Sequence, residues 1–199
     1  MRHMEYEHLL IFGGVCVAAW FLVIYFWPRM LLSVFKRGIL VKGFGDDPIP
    51  VNTLYTQPQA FFADPLHPPA SASKLATTGV NRDTLITAGW LDLSKGPLVL
   101  HVPDMNDRYY SVQFCDPSKN INFAYVGKRT TGTQAGDYLI TKPGWKGQVP
   151  SGMKQISSPN NSVLLFGRVL VESDSDLSTA YGLSKQIQLT PLSHWQPGQ

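Results

Sequence analysis

Cysteine is scarce in this sequence, and so are charged residues. Of 199 residues only two are cysteine, Cys16 and Cys115, and 16% are charged. Two distant cysteines provide neither a disulfide framework nor the spacing of a zinc or redox pair. The sequence also has no Gly-x-Ser-x-Gly elbow, no Gly-x-Gly-x-x-Gly turn and no phosphate-binding loop. These absences argue against the standard hydrolase, dinucleotide and nucleotide-binding classes.

The net charge of +3 lies entirely at the N-terminal end. Residues 1–42 hold five of the 17 basic residues and two of the 14 acidic ones, so residues 43–199 are formally neutral. A nucleic-acid-binding protein needs a basic face, and nucleic acid is therefore excluded as a partner. In residues 43–199 Glu172 is the only glutamate, and every other acidic residue is aspartate. Because aspartate, glycine and proline favour turns, this composition predicts a β-rich domain.

No metal or cofactor site is predicted. The histidines of residues 43–199 are His67, His101 and His194, which are too far apart to form a local ligand motif. Each is therefore interpreted as a surface residue or as a core residue with a hydrogen-bond partner.

One segment has the composition of a membrane helix. Residues 9–27 contain no charged side chain, and a helix of this length spans roughly 28 Å, close to the thickness of a bilayer core. The apolar run is longer than the core of a signal peptide, and bulky residues stand where a cleavage site needs small ones. Residues 1–28 are therefore predicted to form a tail and a single transmembrane helix.

Aromatic and basic residues follow the apolar run and predict contact with the lipid interface. The predicted interfacial anchors are Trp20, Tyr25, Trp27, Arg29, Lys36 and Arg37. Gly14 and Ala18 place small side chains on one helix face, as in a packing contact with another membrane helix or by chance. Residues 29–42 are predicted to form a basic juxtamembrane helix, which either lies in the interface or continues the membrane helix.

Residues 43–80 are rich in proline and predict a connection with a short helix near residues 58–63. Residues 81–199 predict a β-sandwich domain with a short C-terminal helix. Asp174, Ser175 or Asp176 can cap this helix, which is predicted to run to about Ile187 and to be ended by Pro191. The segment Asp104–Asp107 is interpreted as the turn into a hairpin strand, and the last strand is expected to be the most central. The predicted strands are 84–93, 98–102, 109–115, 121–126, 137–141 and 162–171.

A group of polar residues in this domain is a candidate ligand site. Arginine and carboxylate side chains together can orient a polar or anionic ligand. The alternative is that the carboxylates bond to turns and pair with the arginines. The candidate residues are Asn81, Arg82, Asp83, Arg108, Arg129 and Asp137.

Seven short blocks, in order, resemble the domain of unknown function 1254 family between about residues 81 and 191. They are Asn81-Arg82-Asp83-Thr84-Leu85, Trp90-Leu91-Asp92-Leu93-Ser94-Lys95-Gly96-Pro97, Val102-Pro103-Asp104, Asp107-Arg108-Tyr109-Tyr110, Arg129-Thr130-Thr131-Gly132-Thr133, Ala135-Gly136-Asp137-Tyr138 and Pro143-Gly144-Trp145 with Gly147. One position departs from the family pattern, because Ile86 stands where an aromatic residue is usual. The resemblance implies an exported, jelly-roll-like bacterial domain with no established reaction.

Two functions are expected from these features. The first is a non-enzymatic, single-pass inner-membrane protein that contacts lipids and acts as an accessory subunit. Its partner is then another membrane subunit or a separate chain with the domain of unknown function 1214 fold, which follows this domain in longer relatives. The second is a ligand-binding or enzymatic domain that uses Asn81, Arg82 and Asp83.

The count of lysine and arginine places the β domain in the cytoplasm, whereas the resemblance places it in the periplasm, which is the prediction adopted.

Overall fold

The computed structural model describes residues 2–43, 48–59 and 83–196, without the side chains of residues 2–7 and 9. The chain forms two units, Met1–Arg37 and Gly38–Gln199. The predicted short helix near residues 58–63 and most of the predicted connection lie outside the described residues.

Helix α1 runs from Arg2 to Lys42. It passes through Pro28 without a break, although proline has no N–H to donate to the carbonyl of Ile24. Residues 29–42 therefore continue the same helix, which was the second of the two alternatives predicted for this segment. Among the described helices, only the segment Leu10–Lys42 has the length that a membrane anchor or a signal sequence requires, and it contains an 18-residue stretch with a mean hydropathy of 2.2.

The rest of the described chain is mainly β and forms two sheets, as predicted. Sheet A has the strand order β1-β2-β8-β4-β5, and sheet B has the order β7-β6-β3-β9. All pairs are antiparallel except β6 with β7. The strands are β1 Tyr55–Thr56, β2 Thr84–Asp92, β3 Leu98–Val102, β4 Tyr110–Asp116, β5 Ile121–Gly127, β6 Gly136–Thr141, β7 Lys154–Ser157, β8 Ser162–Leu170 and β9 Gln188–Pro191.

All six predicted strands are present, with bounds that differ by at most one residue. The prediction that the last of them is central is also confirmed, because β8 lies in the middle of sheet A. Its inward side chains, which include Val163, Leu165 and Val169, are fully buried. The strands β1, β7 and β9 were not predicted. They are only two to four residues long, so they carry little alternation of their own.

The interpretation of Asp104–Asp107 as a hairpin turn was wrong. Strand β3 belongs to sheet B and β4 to sheet A, so this segment crosses between the sheets. Asn106 and Asp107 take positive φ angles of 49° and 62° there. The Asp104 carboxylate accepts a bond of 2.8 Å from the Asn106 amide, which supports this conformation. The hairpin partner of β4 is β5.

The two sheets share one core. Tyr110, Val112 and Phe114 enter it from sheet A, while Leu98 and Leu100 enter it from sheet B, and none is more than 3% exposed. Burying each such side chain contributes about 2 kcal/mol to folding.

Helix α2, Leu177–Gln186, packs against β2 and β8. It starts after a 3-10 turn at Asp174–Asp176 and ends at Gln186. The prediction that Pro191 ends the helix was wrong, because Pro191 belongs to β9. The expected side-chain cap is also absent from this described segment, since Asp176 stands at the N-cap position but makes no capping bond.

Candidate functional site

Strand β5 forms an open edge of sheet A. Among the described strands it pairs with β4 alone. Its sequence, Ile-Asn-Phe-Ala-Tyr-Val-Gly, contains neither a charged residue nor a proline. Ile121 is 55% exposed and Tyr125 is 46% exposed. Natural edge strands are usually blunted by lysine, proline or a covering segment. This edge lacks charge and proline within the strand and exposes two large apolar side chains.

A depression of about 260 Å³ lies beside this edge, on the outer face of β4 and β5. Tyr109, Gln113, Tyr125 and Arg129 are among its lining residues. These four residues and Ile121 are called the edge surface, in which Tyr125 lies on the outer face of the sheet opposite Gln113, while Ile121 lies on the other face opposite Asp116. Tyrosine and arginine, which make up three of these residues, are among the residue types that dominate protein interfaces.

Local contacts hold the side chains of the edge surface in place. The Arg129 guanidinium lies over the Tyr109 ring, 5.5 Å from its centroid. The Asn122 amide donates to the Tyr125 hydroxyl at 2.9 Å and to the Gln113 carbonyl at 3.3 Å. Side chains that are ordered before binding lose less conformational entropy when a partner arrives.

Positive charge flanks the open edge at both ends. Exposed Lys119 precedes β5, and exposed Lys128 and Arg129 follow it. Lys128 makes an ion pair of 2.8 Å with the exposed Asp107. Exposed pairs of this kind contribute little to stability and leave the lysine accessible. Strand β5 is thus an uncharged strand between cations, suited to pairing with an extended segment that has acidic residues at its ends.

Arg108 occupies a different place and has a structural partner. Its guanidinium makes a two-pronged ion pair with Asp176 at 2.5 Å and 2.7 Å and donates to the Leu170 carbonyl at 2.8 Å. Both side chains are largely buried. The hydrogen bond from Arg108 lowers the pKa of the Asp176 carboxyl. The pair ties the start of β4 to the start of α2.

Asp137 lies on sheet B, away from the edge surface. Its carboxylate bonds to His101 Nδ1 at 2.7 Å and accepts from the Trp195 indole at 3.3 Å. Asp83 precedes β2 with an exposed side chain, and its carbonyl accepts from the Val171 amide.

The structure therefore does not gather the described candidate residues into one site. Asp83 and Arg108 lie at one end of sheet A, Arg129 lies at the edge surface, and Asp137 lies on sheet B. Asn81 and Arg82 lie outside the described residues. The sequence alternative was that the candidate arginines pair with the candidate carboxylates. Arg108 does pair with a carboxylate, but this is Asp176, which was not a candidate residue.

The family can now be stated. A family model described as "Protein of unknown function (DUF1254)" matches residues 63–191. The chain belongs to the DUF1254 family. This confirms the family resemblance that the seven sequence blocks carried.

Two solved structures resemble the chain. The VPA0106 protein from Vibrio parahaemolyticus is 25% identical with a TM-score of 0.61, over 85% of this chain and 37% of that one. An uncharacterized protein from Burkholderia cenocepacia is 12% identical with a TM-score of 0.41, over 70% of this chain and 34% of that one. The chain thus spans little more than a third of the length of the Vibrio protein. No curated protein matches the chain.

Sequence reasoning missed two features of the DUF1254 domain. One is the pairing of His101 with Asp137, which are 36 positions apart and meet only through the register of β3 with β6. The other is the edge surface, since no local pattern shows which strand lies at the edge of a sheet. Residues 121–127 contain no Asp, Glu, Lys or Arg, but neither does β3, so this feature alone does not identify the edge strand.

Outside the DUF1254 domain, α1 holds the remaining candidate residues. Trp20, Tyr25 and Trp27 are all more than half exposed, as aromatic residues at a lipid interface require. The Arg29 guanidinium lies 3.8 Å from the centroid of the Tyr25 ring and donates to the Tyr25 carbonyl. Four further candidates lie on the same helix: Gly14, Ala18, Lys36 and Arg37.

Proposed function

We propose that this chain is a single-pass protein of the bacterial inner membrane whose DUF1254 domain binds another protein at the edge surface. In this role it is a non-catalytic accessory subunit of a membrane assembly. The observation that supports the proposal best is the open, uncharged β5 with its exposed Ile121 and Tyr125.

Helix α1 supports the membrane part of the proposal. Every described side chain from Leu10 to Leu31 is exposed, although most are apolar. Lipid is the solvent in which such a surface is stable. Anchoring confines the DUF1254 domain to a thin layer at the membrane, so a modest affinity at the edge surface suffices for association with a subunit of the same membrane.

The geometry of sheet A defines what the partner must supply. An extended segment that pairs with β5 gains main-chain hydrogen bonds along the strand, as in other cases of strand addition. Its apolar side chains alternate between the faces of the sheet and meet Ile121 on one face and Tyr125 on the other. Acidic residues at its ends face Lys119 and Lys128. Among the partners that the family resemblance implies, a chain with the domain of unknown function 1214 fold is β-rich and can offer such a strand.

We place the DUF1254 domain on the periplasmic side, because the family resemblance implies an exported domain. The opposite argument is the excess of lysine and arginine after the apolar run. Alkaline phosphatase fused after Gln199 tests the assignment, since this enzyme is active only when exported. An active fusion supports the periplasmic side, and an inactive fusion with full expression contradicts it.

Partner binding is tested by purifying the full chain from membranes and measuring the stoichiometry of what accompanies it. We expect one defined protein in a fixed ratio to the chain. Replacing Tyr125 by lysine should remove that protein, because it places a charge in the apolar contact. Val149→Lys is the matched control, since Val149 is also an exposed apolar residue but lies outside the edge surface. A lone monomer, or a partner retained equally by both variants, would contradict the proposal.

A further inference from the structure

The outer face of sheet B carries a row of polar residues across three strands. Asp137 in β6 and Gln188 in β9 are both register partners of His101 in β3. Residues directly opposite one another on neighbouring strands project to the same face of a sheet. The three side chains therefore stand side by side on one face, on the opposite sheet from the edge surface.

Two hydrogen bonds fix the centre of this row. His101 Nδ1 lies 2.7 Å from one Asp137 oxygen, and the Trp195 indole N–H donates to the other oxygen at 3.3 Å. Because a carboxylate accepts, the neutral form of His101 carries its proton on Nδ1, which leaves Nε2 able to accept a hydrogen bond. His101 is held in this orientation while its side chain remains 33% exposed.

A depression of about 220 Å³ lies over the row. A depression of this volume has room for several water molecules, or for a ligand of about the size of one sugar unit. The lining side chains share a capacity for hydrogen bonding, and none of them is aliphatic. They are His101, Asp137, Gln186, Gln188, Thr190 and Trp195.

The chemistry of this lining selects a neutral ligand with several hydroxyl groups. The carboxamides of Gln186 and Gln188 and the hydroxyl of Thr190 can each donate and accept hydrogen bonds, and His101 Nε2 can accept one. The lining therefore matches hydroxyl groups, which also both donate and accept. Neither lysine nor arginine is among the described lining residues, so a strongly anionic ligand lacks a counter-charge. Asp137 already accepts from His101 and Trp195, which reduces its attraction for a cation. The Trp195 ring adds an aromatic surface.

We propose that this depression, called the sheet B site, binds a neutral sugar unit or a similar polyol. Gln186, Gln188, Thr190 and His101 bind its hydroxyl groups, and Asp137 positions His101. The site is separate from the edge surface, so the proposal does not depend on the protein partner proposed above.

The test uses the full chain in a detergent without a sugar headgroup. Binding of D-glucose, D-galactose and N-acetylglucosamine is measured by ligand-observed NMR and calorimetry. D-gluconate, glucosamine and Zn²⁺ serve as anionic, cationic and metal comparisons. We expect saturable binding of at least one neutral sugar at one site per chain. Gln188→Ala should weaken it about tenfold, because it removes hydrogen bonds to the ligand.

Gln188→Ala tests the site without a threat to folding, because the Gln188 side chain is exposed. Asp137→Asn gives a second test, since it loosens His101 while leaving the lining polar. Lys154→Gln is the control, because Lys154 is exposed on β7 of the same sheet and is not a lining residue. The proposal is overturned if no neutral sugar binds, if only a charged compound or Zn²⁺ binds, or if both site variants bind as the control does.

Discussion

Helix α1 and the DUF1254 domain use apolar residues in opposite ways. From Leu10 to Leu31 of α1 the large apolar side chains are exposed, including Leu22 at 58%. In the β domain they alternate along strands and meet in a shared core, where Leu165 is fully buried. The same residue type thus stabilises the β domain by removal from water, whereas along α1 it forms the apolar surface that a membrane anchor or a signal sequence needs.

The largest expected effect separates these two roles directly. Leu165→Ala should lower the free energy of unfolding of the β domain by about 3 kcal/mol, because it leaves a cavity in the central strand of sheet A. Leu22→Ala makes the same chemical change in α1 and should leave that free energy unchanged. Denaturant unfolding of the full chain in detergent, followed by tryptophan fluorescence, measures both. Equal losses would show that the two regions do not differ as proposed.

The next effect concerns the ion pair between β4 and α2. Asp176→Asn should cost about 2 kcal/mol of unfolding free energy, because it leaves the largely buried Arg108 without its counter-charge. Asp174→Asn is the control, since Asp174 is exposed in the same 3-10 turn. Equal stability of the two variants would show that the pair does not hold α2 in place.

The same pair gives the domain a pH dependence with a definite sign. Arg108 lowers the folded-state pKa of Asp176 below its unfolded value of about 3.9. The resulting stabilisation is complete above the unfolded pKa and is lost as the pH falls through the folded pKa. In urea unfolding, the stability gap between wild type and Asp176→Asn should therefore shrink from pH 7 toward pH 3. A gap that stays constant would contradict this pKa direction.

A smaller effect is expected where α2 packs on β2. Thr87 and Ser184 share a buried hydrogen bond of 3.0 Å. Ser184→Ala should cost about 1 kcal/mol, since it leaves the Thr87 hydroxyl without this partner. Ser151→Ala, at an exposed turn position, should cost nothing measurable in the same thermal unfolding experiment. A Ser184→Ala variant as stable as this control would show that the bond contributes nothing.

The sequence predicts those elements whose signal is local. Six strands follow from alternation or apolar runs, and α1 follows from an uncharged run, because each signal lies within the element itself. The short β7 and β9 exist because a neighbouring strand offers hydrogen bonds, which no local pattern shows. The candidate sites could not be predicted for the same reason, because they depend on contacts between residues far apart in the sequence. Arg108 meets Asp176 at a separation of 68 positions, and the edge surface depends on the strand order of sheet A.

Photo-crosslinking at the edge surface tests the central claim most directly. A photoreactive phenylalanine analogue replaces Tyr125 in β5, and the same analogue replaces Lys154 in β7 as the control at the edge of sheet B. Both positions are exposed, so the substitutions should leave the fold intact. We predict that illumination of intact cells joins position 125, but not position 154, to one defined protein. No crosslink at position 125, or the same products from both positions, would contradict the proposal that β5 binds a protein partner.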